Sequence, residues 1–322
     1  MVTLLAHGGP IQAIGAAFGL AERTVTRCPA RGGAPWQRVH EHVVEAGQVE
    51  LGQVQADELR VRLVGGVRWL ASARAVPSRL GLGGAIRSDR DQRLIAALLR
   101  RGGACGSVRR VLRCTDGLAS SPSQALRLFR EAVRTGQPGR PRLTLPAGLV
   151  IAQVIKRHAR RRLVSVVRRV VTGGEAAAQA TLAATQTHIA PVLTTADSER
   201  LKASFRAHLG SLARRTRAAV HHTATLAAGR WLIGTCSTFC WPHRSLRRRR
   251  TAADPPGGRW LPRPPAQAAG RTDHAWTLHE LLTSPVPRPI PKRPGRRPNW
   301  LRQLTPAACP RLRGALPSPR SS

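Results

Sequence analysis

Apolar positions recur with two periods along this chain, and each change of period marks an element. Ile11, Ile14, Ala17 and Phe18 follow helical spacing behind Pro10, a residue accepted in a first helical turn. Gly19-Leu20-Ala21 predicts a short turn, and a second helix starts at Glu22. Pro29 is expected to end it near Cys28, because an interior proline costs about 3 kcal/mol. Leu59, Val61 and Leu63 alternate, Gly65-Gly66 intervenes, and alternation resumes through Val67, Trp69, Ala71 and Ala73, which predicts a β-hairpin. Residues 88–101 read as a helix with Ser88 as cap, followed by a short strand through Val111, Leu112 and Cys114 that ends at Asp116-Gly117. Residues 122–134 read as a further helix and 137–146 as a loop. Length favours helix over 149–171 while β-branched content favours strand, so the pattern leaves that segment open. Residues 189–195 predict a short strand. From about Asp197 a helix carries Leu201, Phe205, Leu209 and Leu212 on one stripe. Strands alternating with helices predict an α/β fold.

Composition then narrows the partners. The 322 residues hold 53 Lys+Arg against 16 Asp+Glu, a formal charge of +37. Such a charge favours polyanions, with double-stranded DNA first. No apolar run is long enough to span a membrane, and six cysteines at irregular spacing do not make a disulfide scaffold. The expected compartment is a bacterial cytoplasm, in association with the nucleoid. Residues 10–33 have the outline of a helix-turn-helix, with Arg23, Thr24 and Arg27 as the DNA-reading side chains; an ordinary helical hairpin fits the same spacing. After residue 243 the chain becomes rich in Pro, Gly and Arg, and low order is expected there, with a disordered tail over 286–322.

With so few acids, each is informative. Asp57 shares the strand parity of Leu59 and Val61; Glu58, its rival, is expected on the opposite face. Asp116 ends the next strand, and Glu199 opens a helix after a further strand. In an α/β sheet, strand ends and following helix starts converge on one rim. Three carboxylates there would suit a divalent cation; the bland alternative is that they pair with arginines.

The segments Gln55-Ala56-Asp57-Glu58-Leu59, Cys114-Thr115-Asp116-Gly117, Glu199-Arg200-Leu201 and Leu212-Ala213-Arg214-Arg215-Thr216 carry a resemblance by their order and spacing. GAAFGLAERTVTR (15–27), FCWPHRSL (239–246) and PAQAAGRTDHAWTLHELL (265–282) add to it. Together they resemble a DDE transposase of a bacterial insertion sequence. The resemblance implies a helix-turn-helix over 1–46, a ribonuclease-H-like catalytic domain over 47–230, and a basic region over 231–285 before the tail. It implies that Asp57, Asp116 and Glu199 bind Mg²⁺ or Mn²⁺ for two-metal phosphoryl transfer. Arg200, Lys202, Arg206, Arg214 and Arg215 would hold DNA phosphates, and the chain would act as a homo-oligomer on terminal repeats and target DNA. The chain departs from the family where Tyr-x-Glu-Arg-x-Asn is usual: Asp197 stands for the Tyr and Lys202 for the Asn. Lys202, three residues after Glu199, is expected to pair with it. These departures read as a decayed copy with an intact triad. The alternative is a catalytically dead DNA-binding remnant or a translated pseudogene.

Other chemistry is weaker. Cys236, Cys240 and His243 offer three zinc ligands without an obvious fourth. His40-Glu41-His42 lacks helical zinc spacing and is expected to be exposed. Trp36, Trp69, Trp231 and Trp241 read as core or rim packing.

Overall fold

A helical hairpin leads the chain into a mixed sheet. The computed structural model describes residues 1–286 except 135, 137, 138, 161, 186–191, 213–219, 253 and 255. The expected tail, Arg214 and Arg215 thus lie outside the described residues, apart from Val286. Helices α1 (Val2–Ala6), α2 (Ile11–Phe18) and α3 (Glu22–His40) come first. Gly19 closes α2 in the left-handed region at φ 62°, which a residue without Cβ adopts at little cost.

α3 runs straight through Pro29 and Pro35, so the expected stop at Cys28 is corrected. Each proline removes one helical hydrogen bond, at about 3 kcal/mol. Tertiary packing offsets this. Val25, Trp36 and Val39 are buried, and full burial of each such side chain is worth about 1.5–3 kcal/mol. Gly33 allows the approach to α8 (Thr223–Thr235): a Cβ there would lie 2.9 Å from the Ala228 Cβ. His40 is also buried, not exposed as expected, because α3 carries it under Trp231 at a ring separation of 5.2 Å.

The sheet holds β1 (Gln53–Leu63), β2 (Gly66–Ala75), β3 (Gly81–Arg87), β4 (Leu112–Thr115), then after a small separate pair β5 (Glu131–Val133) and β6 (Arg142–Thr144) the strands β7 (Val150–Ala159) and β8 (Arg162–Thr172). Among the described residues its order is β3-β2-β1-β4-β7-β8. β1, β2 and β3 form an antiparallel meander; β4 and β7 continue it in parallel, and β8 returns antiparallel. The expected hairpin is present, with Gly65 at φ 84° in its two-residue connection. The open segment 149–171 is a second hairpin.

Helices α4 (Gln92–Ala104), α5 (Ser120–Leu128), α6 (Glu175–Thr185) and α7 (Ala196–His208) flank the sheet. Asp91 caps α4 rather than Ser88, its side chain accepting the Leu94 N–H at 2.8 Å. Asp91→Ala should cost about 1 kcal/mol, read as a lower urea midpoint at unchanged slope. α5 ends six residues before the expected position, because 131–133 pairs with 142–144 instead of continuing the helix or forming a loop. Residues 192–194 are not a strand; 186–191 lie outside the described residues. α7 stops at His208, so the apolar stripe is not one helix: Leu209 is extended and Leu212 lies in a 3₁₀ turn.

Met1–Val286 forms one compact unit, and α8 spans the expected boundary at 230/231. Order does not stop at 243: Arg248-Arg249 pairs with Trp260-Leu261, and a capping box at Thr277 and Glu280 starts a last helix. Trp36 and Trp231 are buried, while Trp69 and Trp241 are half-buried packing, as expected. No helix among the described residues is long and apolar enough to cross a membrane.

Candidate active site

The parallel pairing of β1 with β4 sets the geometry. Its last paired positions are Gln55 and Cys114. Asp57 and Asp116 each follow by two residues, so they stand side by side at the carboxyl end of β4, Asp57 still within β1 and paired with β2. β4 stops at Thr115, which leaves the β1 edge uncovered beside Asp57 and Glu58. The Glu58 carboxylate reaches the same rim, where Arg90 holds it. Single carboxylate oxygens of Asp57, Glu58 and Asp116 all lie within 4.8 Å of one another. Placing Glu58 on the far face by parity is therefore corrected: alternation fixes where Cβ points, but not where a long side chain ends beside an open edge.

Neighbouring side chains hold each part of the rim. Gln153 on β7 donates to the Asp116 carbonyl at 3.0 Å and the Leu118 carbonyl at 3.1 Å, and Arg169 fixes its amide at 2.6 Å. Asp116 Oδ1 accepts the Leu118 N–H at 3.0 Å, which shapes the turn. Gly117 lies against Ile155, where a Cβ would meet Cγ2 at 3.2 Å. Gln55 Oε1 accepts the N–H groups of Asp197 and Ser198 at 2.9 and 3.1 Å, docking the N-terminus of α7 onto β1. α7 in turn presents Glu199, Arg200, Lys202 and Arg206.

Every acid of the rim meets a cation. Lys202 Nζ lies 2.5 Å from Asp57 Oδ2. Arg90 Nη2 bridges Glu58 at 2.6 Å and Asp116 at 2.7 Å, its guanidinium over the Trp69 ring. β7 extends past β4 and brings Lys156 to Glu199, which Thr195 also contacts at 3.3 Å. The expected Lys202–Glu199 pair is thus corrected. Helical spacing permits that contact, but Lys202 faces the sheet, where the buried Asp57 offers a better-desolvated partner. Asp197 pairs with Arg79.

Burial shifts two of these acids. The Asp57 carboxyl is pushed up by burial, against the Lys202 hydrogen bond and charge. Glu58 is pushed up by burial and then by the Asp116 charge, against Arg90.

The three clustered acids fit a hard divalent cation, for which oxygen donors are the chemical match. Glu199 is not among them: its carboxylate is held by Lys156. Among the described residues, no other cluster has this geometry. Cys236, Cys240 and His243 do not bring their ligand atoms together as a cluster among the described residues, and His243 Nδ1 is 2.8 Å from the Ser245 hydroxyl. Arg23, Thr24 and Arg27 are exposed on the first turns of α3; Arg200 is exposed and Arg206 half-buried on α7.

The chain matches no family model, no curated protein and no solved structure.

Proposed function

We propose that this chain is built as a DDE transposase: a ribonuclease-H-like domain that cuts DNA at element ends and joins the ends to target DNA. The observation that carries the reading is the convergence of Asp57 and Asp116, two residues past the same β1–β4 pairing, with Glu199 on the adjacent α7. A mixed sheet in which an antiparallel meander continues into parallel strands is a scaffold that supports the ribonuclease-H-like assignment.

Asp57, Asp116 and Glu199 would hold Mg²⁺ or Mn²⁺, with Glu58 as an additional oxygen donor. When bound, such ions activate an attacking oxygen and stabilise the leaving one. In the cut, a water oxygen bonds to phosphorus and the P–O3′ bond breaks, leaving a 5′-phosphate and a 3′-hydroxyl; in the joining, that 3′-hydroxyl oxygen bonds to a target phosphorus in line, and the target's own P–O3′ bond breaks to release a 3′-hydroxyl. Arg200 is exposed on α7, in position to hold a phosphate, and Arg206, half-buried one turn beyond Lys202, would hold another. Arg23, Thr24 and Arg27 would read terminal repeats as a helix-turn-helix.

The Lys202–Asp57 contact favours a second reading, a DNA-binding remnant without catalysis. The two share their DNA binding and differ in metal use. Asp57→Asn, Asp116→Asn and Glu199→Gln should each abolish Mg²⁺- or Mn²⁺-dependent nicking of duplex DNA and leave DNA affinity in place. Nicking that survives all three, or EDTA, removes the triad from the chemistry. DNA affinity should fall steeply with salt, by a log–log slope of about −0.9 per phosphate contacted. A slope near zero would end both readings.

A further inference from the structure

A second charged feature is built from other residues. Arg230 on α8 is 5% exposed, and its guanidinium lies 4.0 Å from the Trp231 ring centroid. Among the described residues it has no ion pair. The nearby carboxylates of Glu41 and Glu45 are both taken by Arg101, at 2.7 and 3.0 Å. Desolvating a cation without a partner is costly, so an unpaired guanidinium in this position invites a ligand.

There is room for one. Arg230 lines a cavity of about 400 Å³ between α3, β3, α4 and α8, whose walls include Ile86 and Ala97 and whose polar positions include Gln37, Arg101 and Thr223. The guanidinium lies close to the β3 backbone: a Cβ on Gly84 would meet the Ala71 carbonyl oxygen at 2.2 Å and Arg230 Nη1 at 3.1 Å. The field in this region is positive. Burial first, and then the charges of Arg230 and Arg101, hold the His40 imidazole down to about 3, so the ring adjoining Trp231 is neutral at physiological pH.

We propose that this cavity is a binding site for a small organic oxyanion, taken by Arg230 through its guanidinium, with the apolar body of the ligand against Ile86 and Ala97. A planar guanidinium matches two oxygens of either a phosphate or a carboxylate. The site uses none of the rim carboxylates and stands or falls apart from the transposase reading.

Titration calorimetry with phenyl phosphate and with benzoate, at fixed ionic strength, tests it. The unaltered chain should show one site per chain for at least one probe, and the tighter of the two assigns phosphate or carboxylate. Arg230→Met should weaken that site at least tenfold while raising the melting temperature, since it removes a buried cation. Ala97→Leu, which keeps Arg230 and fills the cavity, should weaken it as well. Arg100→Met, an exposed arginine on the same helix as Ala97, should change it less than twofold. Absence of a one-per-chain site, or equal affinity in all four proteins, would show diffuse surface charge instead and overturn the proposal.

Discussion

Lys202→Asn should bind Mn²⁺ at least tenfold more tightly than the unaltered chain. Lys202 Nζ sits 2.5 Å from Asp57 Oδ2, on a carboxylate that the metal reading needs free. Its ammonium both occupies the oxygen and repels the ion. A +1/+2 pair ~6 Å apart at an effective dielectric of ~20 costs about 5 kcal/mol before screening, an upper bound. A quarter of that, about 1.4 kcal/mol, is already tenfold in affinity. Asparagine removes the charge and leaves an amide able to donate to Asp57. Titration of free Mn²⁺ by electron paramagnetic resonance reads this without any need for cleavage. Equal affinities in the two proteins would mean that Lys202 leaves Asp57 freely and does not control the site.

Arg113→Leu should stabilise the fold by about 2 kcal/mol. Arg113 stands on β4 with both neighbours buried; it is 4% exposed, and its Nε and Nη2 have no hydrogen-bond partner. Burial lowers its pKa to about 10, which leaves it charged at neutral pH. Among the described residues, the Phe129 ring lies 4.4 Å from its Cζ and offsets part of this cost. A cation–π contact is worth about 0.5–2 kcal/mol, while two unsatisfied buried donors cost about 1–3 kcal/mol each. Leucine keeps the packing on Phe129 and removes both donors. At this chain length the gain corresponds to about 3 °C in melting temperature. A lower melting temperature for the leucine variant would show that the Phe129 contact outweighs the desolvation.

Local signals made part of the fold legible. The 53–75 hairpin follows from alternation and Gly65-Gly66, and β4 from the apolar run stopped by Asp116-Gly117. Where an element depends on distant packing, the sequence is silent. α3 passes two prolines because α8, some 190 residues later, covers its face. The turn between β7 and β8 begins at Arg160 with φ 47°, a left-handed position without the glycine or asparagine that would announce it. That is why 149–171 could not be assigned. At the rim, spacing pointed to Asp57, Asp116 and Glu199. It set Glu58 aside on strand parity, although its carboxylate reaches the other two acids. It also misassigned the cations, since Lys156 meets Glu199 across 43 residues and Lys202 turns to a strand rather than along its own helix. The excess of arginine was legible as a preference for anions, but which guanidiniums are buried and unpaired was not.

The most direct measurement of the central reading is nicking of supercoiled plasmid DNA by the Lys202→Asn protein in Mn²⁺, beside the same protein carrying Asp116→Asn. The expected result is nicked circles with 3′-hydroxyl ends from Lys202→Asn, abolished by EDTA and by the added Asp116→Asn. No metal-dependent nicking from Lys202→Asn, or equal nicking from both proteins, would contradict a catalytic centre built on Asp57 and Asp116.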